Sequence, residues 1–389
     1  MQKLRVLMTA GGSGGHIYPM TAVAIDLQHK ASSLGDELDL RFFGQAGSYK
    51  EYLIQNGFKI SSIAGPKLRR YGSIQNFLDF FVFFFALAQA FLKVYWFMPD
   101  VVFSKSGSSA LPVILAARWY RIPLIIHESD AIAGLTNRIA GKMAKIIELA
   151  FENARQYFPE NKTIRVVGNP IRKSILAPHN AATSRERLGL PHKKPVLLFI
   201  GGSGGAQALN YFVLENSEAI LNSYEVIQIS GTRDYEGFKK EFDFMAKNYT
   251  DEQKANYHLY AYLEDAQMAD ALNAADLIIS RAGSSIFEIA AVGKPSILIP
   301  LPGSANGHQD ENAAIYAASG AAVVIEQDNL LINLFLATTH KILGGVKLYP
   351  EMCRAAKAFY KPEAATVISQ DIITIAHPQK NVPQFAGVQ

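Results

Sequence analysis

The sequence predicts an α/β protein with two Rossmann-like, doubly wound parallel-sheet domains that face a cleft. Its 389 residues are enough for two domains. Short runs that are apolar on both faces alternate with helical patterns, which is typical of parallel sheets covered on both sides. The pentapeptide Gly-Gly-Ser-Gly-Gly occurs at residues 11–15 and again at 201–205, each time between an apolar run and a helical pattern.

The apolar runs are the predicted strands, and ligands of such sheets bind beyond the carboxyl ends of the strands. The runs lie at residues 5–9, 101–103, 124–126, 146–149, 164–167, 196–200, 226–229, 277–279, 297–299 and 322–325. Helices are predicted over 18–27, 77–98, 206–214 and 363–376, and another helix contains Glu288. The boundaries are 1–168 for a first domain and 169–361 for a second, followed by a C-terminal helix at 362–377 and a frayed tail at 378–389.

Composition excludes several classes of protein. Hydrophobic residues make up 49% of the chain, which argues against disorder. The single cysteine, Cys353, excludes a disulfide framework and a cysteine metal cluster, and fits a reducing cytosol. No signal peptide is evident before the first strand. The net charge of +4 is too mild for a typical nucleic-acid stripe, but an anionic membrane surface requires less.

Both glycine loops are predicted to bind phosphate. Glycines allow the backbone to approach a phosphate closely, and the following helix directs its positive end at it. Neither loop is a Walker A motif, because neither is followed by Lys-Ser/Thr, and the spacing is not that of a dinucleotide fingerprint. A single such loop could be only a tight turn, whereas the second copy favours phosphate-rich substrates.

His16 lies in the first turn of the helix after the first loop. A positive helix end disfavours imidazolium, so we expect a lowered pKa and a neutral ring that can act as a general base. The alternative is a histidine that caps the loop or donates a hydrogen bond to a bound phosphate.

Two further segments follow predicted strands in the second domain. Glu288 lies near the start of the helix after a glycine–serine turn, where it either accepts hydrogen bonds from a ribose diol or interacts with the helix dipole. His308, Gln309 and Asn312 offer groups suited to sugar hydroxyls, or belong to an ordinary polar loop. His308 and Asp310 alone are too few ligands for a metal site.

The very apolar segment 77–98 is predicted to be a helix that does not span a membrane, because Asp79, Gln89 and Lys93 interrupt it. It is either buried or inserted with one face into the bilayer interface. Aromatic residues at its end and nearby basic residues favour the second interpretation; they are Tyr95, Trp96, Lys67, Arg69, Arg70 and Lys93.

Six ordered stretches resemble the GT-B-fold, nucleotide-sugar-dependent glycosyltransferases of glycosyltransferase family 28. They cover nearly the whole chain, at residues 9–19, 127–137, 167–172, 201–210, 281–293 and 308–313. The closest resemblance is to the branch that adds N-acetylglucosamine to undecaprenyl-diphosphate muramyl-peptide in peptidoglycan synthesis. It implies a peripheral protein on the cytoplasmic face of the cell membrane, with no cofactor beyond the donor substrate and no metal. It also implies that helix 362–377 crosses back to the first domain.

The resemblance implies that the second domain binds the donor, UDP-N-acetylglucosamine. Arg172 and Ser203 would contact its diphosphate, and the backbone of Leu263 would contact uracil. Glu288 would hold the ribose and Gln309 the sugar.

The first domain would bind the lipid diphosphate acceptor beside its glycine loop, with His16 as the base. The substrate-binding residues implied in this domain are Ser13, Gly14, Gly15, Asn137 and Asp130, of which Asp130 occupies a position that contacts the donor sugar in the family.

The sequence departs from the family pattern in four places. The usual His-Glu-Gln-Asn is here His-Glu-Ser-Asp at 127–130, which places a carboxylate at Asp130 instead of an amide. The acceptor-side loop Gly-Gly-Tyr/Phe-x-Ser-x-Pro is altered at 106–112, Gly204 and Gln207 replace glutamine and arginine in the second glycine loop, and the stretch before Glu288 is one residue short. Transfer to another lipid acceptor, and a non-catalytic UDP-sugar-binding membrane subunit, therefore stay as alternatives.

Overall fold

A computed structural model describes residues 3–65, 74–177, 180–190, 194–201 and 206–377, without the side chains of 74–80 and 305. The predicted contact at Ser203, the basic residues at 67, 69 and 70, and the tail 378–389 lie outside the described residues. The chain divides into two compact units. Unit 1 is Met1–Pro170 with Glu363–Gln389, and unit 2 is Ile171–Pro362.

The first part of unit 1 alternates strands and helices. In chain order they are β1 Lys3–Thr9, α1 Gly14–Ser33, β2 Glu37–Gly44, α2 Lys50–Gln55, β3 Lys59–Ser62, α3 Ile74–Phe97, β4 Val101–Ser104, α4 Leu111–Trp119, β5 Leu124–Glu128, α5 Leu135–Gly141, β6 Ile146–Leu149 and β7 Thr163–Val166.

Unit 2 repeats this alternation, and one helix follows it. In order the elements are α6 Lys173–Leu176, α7 Ala181–Leu188, β8 Val196–Ile200, α8 Gln207–Glu215, α9 Ser217–Ser223, β9 Glu225–Ile229, α10 Tyr235–Met245, α11 Asp251–Ala255, β10 Tyr257–Tyr260, α12 Asp265–Ala274, β11 Leu277–Ser280, α13 Ser285–Val292, β12 Ser296–Leu298, α14 His308–Ala318, β13 Ala322–Val324, α15 Ile332–Leu343, α16 Leu348–Phe359 and α17 Ala364–Ala376.

Both sheets are parallel and doubly wound, which confirms the predicted fold class. The strand order is β3-β2-β1-β4-β5-β6-β7 in unit 1 and β10-β9-β8-β11-β12-β13 in unit 2. In unit 1, successive residues of β1 enter opposite cores, with Val6 and Met8 on one face and Leu7 on the other. Burial on both faces explains why these strands are continuous apolar runs.

Helix α17 packs in unit 1, although it follows unit 2 in the chain. Ile368 and Ile372 belong to the same core cluster as residues of α1 and β1. Lys30 of α1 donates a hydrogen bond to Ser369 at 2.7 Å, and Arg165 of β7 forms an ion pair with Asp371 at 2.7 Å. No helix among the described residues combines the length and apolarity needed to cross a bilayer.

Strand order reverses between β1 and β4 in unit 1, which is where a doubly wound sheet binds its ligands. Here the loops after the two strands touch through their backbones. The Gly11 N–H donates to the Ser106 carbonyl at 2.7 Å, and the Ser109 hydroxyl donates to the Ala10 carbonyl at 3.1 Å. Only glycine fits at 107, because its φ is +101° and a Cβ there would lie 2.4 Å from Gly11 Cα.

Gly107→Ala should therefore lower the free energy of unfolding by about 2 kcal/mol or more, because it combines strain at positive φ with a backbone clash. Urea unfolding measures this loss. Gly237→Ala in α10 is the matched control, since a Cβ there meets no atom within 4 Å. We expect the control to be neutral or stabilising by up to about 1 kcal/mol. Equal midpoints for Gly107→Ala and the wild type would contradict the tight contact.

Candidate active site

The first glycine loop places His16 at the start of α1, beside the backbone contact just described. Ser13 is the residue before the helix, and its Oγ lies 3.0 Å from His16 Nδ1. A Cβ on Gly11 would lie 2.7 Å from the same Nδ1 atom, so the imidazole fills the space that a side chain at position 11 would need. The tautomer that donates Nδ1–H to Ser13 carries its lone pair on Nε2, the atom that could then accept a proton.

The segment after β5 is organised around the buried carboxylate of Glu128, which is 3% exposed. It accepts hydrogen bonds from the Asp130 N–H, the Gly134 N–H and the Asn137 side-chain amide, each at 3.0 Å. Burial raises the pKa of Glu128, as does the Asp130 carboxylate, whereas the three donors act in the opposite direction. Glu128 therefore braces the loop that carries Asp130.

Asn137 is fully buried and its amide is shared between two acceptors of this loop. Nδ2 donates to the His127 carbonyl and to Glu128, both at 3.0 Å. In this arrangement the side chain holds the loop together, and its contact with substrate stays a prediction. Asp130 is partly exposed beside it.

Sequence reasoning missed Lys105, which directly follows β4 and is fully buried. Its ammonium contacts His127, Ser129 and Asn169. The sequence feature that could have identified Lys105 is a cationic residue immediately after an apolar strand, in a loop otherwise made of serine and glycine.

In unit 2, Arg172 is 4% exposed and is bound by two carboxylates. Its Nε and Nη2 each donate to one oxygen of Glu288 at 2.9 Å, and Nη1 donates to Asp265 at 3.1 Å. A bidentate pair of this kind fixes both side chains. The structure thus brings the two predicted donor-binding residues together and adds Asp265, which sequence reasoning did not single out.

The other two predicted donor contacts lie in loops of the same unit. Leu263 is buried in the turn between β10 and α12. Gln309 lies in the first turn of α14, where its side-chain oxygen accepts from the Leu301 N–H at 3.0 Å and its backbone N–H donates to Ser304 Oγ at 3.2 Å. These hydrogen bonds fold the loop after β12 back onto α14 and hold Gln309 at a partly exposed position.

Two parallel α/β units, each with polar residues beyond the carboxyl ends of its strands, are the architecture of GT-B nucleotide-sugar glycosyltransferases, and the family models assign the chain to that class. Residues 6–148 match the glycosyltransferase family 28 N-terminal domain, and residues 196–368 match the family's C-terminal domain. The chain belongs to glycosyltransferase family 28.

Relatives of similar length carry one name, UDP-N-acetylglucosamine–N-acetylmuramyl-(pentapeptide) pyrophosphoryl-undecaprenol N-acetylglucosamine transferase. The protein from Caldicellulosiruptor saccharolyticus is 33% identical over 372 residues, which is 95% of this chain and 97% of the relative. A Bacillus cereus protein of this name, numbered 2, is 32% identical over 95% of this chain and 99% of its own. The crystal structure of MurG from Acinetobacter baumannii has a TM-score of 0.68 and 27% identity, covering 95% of this chain and 99% of that one.

Gly11→Ala should displace the His16 imidazole, because the new methyl group would lie 2.7 Å from its Nδ1, at the end of a side chain that can rotate. The methyl group would also lie 3.3 Å from Gly107 Cα, so we expect a smaller loss of stability than for Gly107→Ala. If His16 is the base, the transfer rate should fall by about 10²- to 10⁴-fold, as with His16→Ala. The double variant should be no slower than His16→Ala alone, since both substitutions act on one group. A Gly11→Ala protein with a wild-type rate, compared with the Gly237→Ala control, would contradict this link between Gly11 and the base.

Proposed function

We infer that this protein transfers N-acetylglucosamine from UDP-N-acetylglucosamine to the C4 hydroxyl of undecaprenyl-diphosphate-linked N-acetylmuramyl-peptide, with inversion, in peptidoglycan synthesis. The observation that carries the inference is a match over 95% of the chain to relatives named for this transfer. His16, Glu288 and Gln309 lie at or just beyond the strand-to-helix turns of their sheets, which suits such substrates.

In the proposed reaction, unit 1 binds the acceptor and supplies the base. The acceptor hydroxyl attacks the anomeric carbon in line, and its proton passes to Nε2 of His16. Ser13 supports this role because its hydroxyl can accept Nδ1–H, as well as stabilise the imidazolium that forms. Ser13, Gly14 and Gly15 would lie next to the acceptor diphosphate, where N–H groups at the start of α1 favour negative charge.

Unit 2 would bind the donor. Each Glu288 oxygen accepts one hydrogen bond from Arg172 and has lone-pair capacity left, so the carboxylate can receive the two hydroxyls of a ribose. Arg172 donates hydrogen bonds to two carboxylates, those of Glu288 and Asp265. We therefore propose that its main role is to hold Glu288 in place. Charge on the departing diphosphate would be stabilised by Ser203, by the N–H groups at the start of α8, and by the field of Arg172. The proposal requires no cofactor or metal.

A surface of unit 1 supports peripheral binding to an anionic membrane. Helix α3 buries Ala86, Ala90, Val94 and Phe97, while several of its bulky residues are exposed. The exposed stripe follows helical spacing, and its side chains are between 51% and 81% exposed; they are Phe81, Phe84, Phe85, Leu92, Tyr95 and Trp96. An exposed apolar stripe of this size argues against a fully buried helix and suits an interfacial one.

A basic pocket lies next to an apolar groove that α3 lines with Leu87 and Phe91. Its volume is about 460 Å³, and the described residues that line it include five basic side chains and no acidic one: Arg118, Arg121, Lys142, Lys145 and Lys162. Arg118 and Arg121 also line a neighbouring apolar groove with Phe91 and Trp119, which is 73% exposed. A cationic pocket beside an apolar groove suits the phosphate and acyl chain of an anionic lipid.

A second candidate function keeps the donor and changes the lipid acceptor. It is favoured by the loop at 106–112, which departs from the family pattern and lies against the first glycine loop.

The wild-type protein, incubated with sugar-labelled UDP-N-acetylglucosamine and the lipid-linked muramyl-peptide, should transfer label to that lipid. His16→Ala should lower kcat by about 10²- to 10⁴-fold with little change in the donor KM. Near-normal turnover by His16→Ala would refute the base. Transfer only to a different lipid would support the second candidate, and donor binding without transfer or hydrolysis would indicate a non-catalytic subunit.

Replacing Phe84, Phe85 and Trp96 together by serine should weaken binding to anionic phospholipid vesicles by about tenfold or more, because apolar area no longer inserts. Replacing Arg118, Lys142 and Lys145 by serine should weaken binding in low salt and flatten its salt dependence. Phe244→Ser is the matched control, since this unit 2 residue is 70% exposed. Unchanged vesicle cosedimentation for both sets would contradict the assigned surface.

A further inference from the structure

Lys105 is a fully buried lysine at the ligand-binding edge of unit 1's sheet, and the proposed mechanism does not use it. Its Nζ lies 2.6 Å from His127 Nδ1 and 2.8 Å from Asn169 Oδ1, and it donates to Ser129 Oγ. Since a protonated amine has three N–H groups, all three donors have a partner. The side chain therefore ends in a complete hydrogen-bonding site rather than in an unfilled space.

These contacts join three loops at the carboxyl ends of strands. Lys105 belongs to the loop after β4, His127 and Ser129 to the end of β5, and Asn169 to the segment after β7. The tautomer of His127 is fixed, because its Nε2 lies 2.8 Å from the Gly168 carbonyl and must donate to it. Nδ1 is then an acceptor, which requires Lys105 to be the donor.

The groups facing the ammonium are unlike those of an ordinary ion pair. Its direct partners are neutral, while Glu128, Asp130 and Glu148 act on it from neighbouring positions. Burial lowers the pKa of Lys105 to about 7, against the opposing effect of these carboxylates. Burial and the nearby Lys105 charge also hold the pKa of His127 well below its ordinary value.

We propose that Lys105 is a positioning residue for the transfer reaction: by joining the three loops it holds Asp130 and the Glu128-braced segment in the arrangement that binds substrate. This inference rests on the proposed function. A buried ammonium costs free energy that a methionine of similar length would not. A positioning role accounts for a charge at this place, whereas packing alone does not.

A positioning role for Lys105 predicts that the transfer activity depends on pH. A neutral amine has two N–H groups and a lone pair, so on loss of the proton the Ser129 hydroxyl must turn to donate to Nζ. The contacts with His127 and Asn169 then lose their charge assistance, which weakens the junction of the loops. Activity that depends on Lys105 should therefore fall as pH rises through about 7. The groups that face Lys105 and shape this titration are His127, Glu128, Asp130 and Glu148.

Stability should change in the opposite direction. Because the folded-state pKa is depressed, the unfolded chain holds the proton between pH 7 and 10 while the folded protein releases it. The folded wild type is therefore stabilised, relative to a Lys105→Met protein, as pH rises above 7. A residue that only supports the fold would instead lose activity and stability together.

The experiment compares kcat/KM of wild type and Lys105→Met from pH 6 to 9, together with urea unfolding at the two limits. We expect Lys105→Met to be slower by about tenfold or more near pH 6.5, mainly in kcat, and to approach the wild type by pH 9. Ser129→Ala should give a smaller loss, and the two substitutions should be non-additive. The unfolding midpoint of the wild type should rise relative to Lys105→Met between these pH values.

Lys30→Met is the matched control, because Lys30 also donates within unit 1, to Ser369 at 2.7 Å, and lies outside the substrate-binding residues. It should change stability without changing the shape of the pH profile. A Lys105→Met deficit that is the same factor at every pH, or no deficit at all, would overturn the proposal. If the wild type itself transfers nothing, the proposed function fails, while the pH-dependent difference in unfolding still tests the buried ammonium.

Discussion

The close approach of two backbones, at Gly11 and Gly107, is the constraint on which the rest of the unit 1 site depends. It occurs where strand order reverses, and it leaves space for neither a Cβ at 107 nor one at 11 without moving His16. The contact therefore sets the position of the imidazole, and it also fixes the loop whose first residue is Lys105. The first glycine loop, which the sequence predicts to bind phosphate, therefore also positions the side chains of His16 and Lys105.

The two units hold their buried cations in different ways. In unit 2, Arg172 is paired with Glu288 and Asp265, and its main effect is to fix a carboxylate. In unit 1, Lys105 is held by neutral acceptors, so its charge depends on solution conditions. The identical pentapeptides at 11–15 and 201–205 thus belong to units whose buried cations have different partners. This difference suits the proposed roles, in which unit 1 binds the acceptor and unit 2 binds the donor.

The sequence predicted the interior strands well because burial on both faces makes them continuous apolar runs. It missed β3 and β10, each at one edge of its sheet, and the neighbouring β2, whereas β7 and β13 at the opposite edges were predicted. The residues of the missed strands are partly exposed or paired with charges, as Asp39 is with Lys3, Arg41 and Lys59. The glycine loops, Glu288 and Gln309 could be predicted from their position after strands. The partners of Lys105 and Asp265 could not be predicted, since they lie 22 to 93 residues away and only the fold brings them together.

The role of His16 as the base is tested most directly by its protonation state. ¹⁵N chemical shifts of the imidazole at pH 7 measure that state. The chain has nine histidines, and a His16→Gln sample identifies the signal. We expect a neutral ring with its proton on Nδ1, donated to Ser13, and its lone pair on Nε2. A protonated ring, or a neutral ring with its proton on Nε2, would contradict the assignment of His16 as the base that the two glycines position.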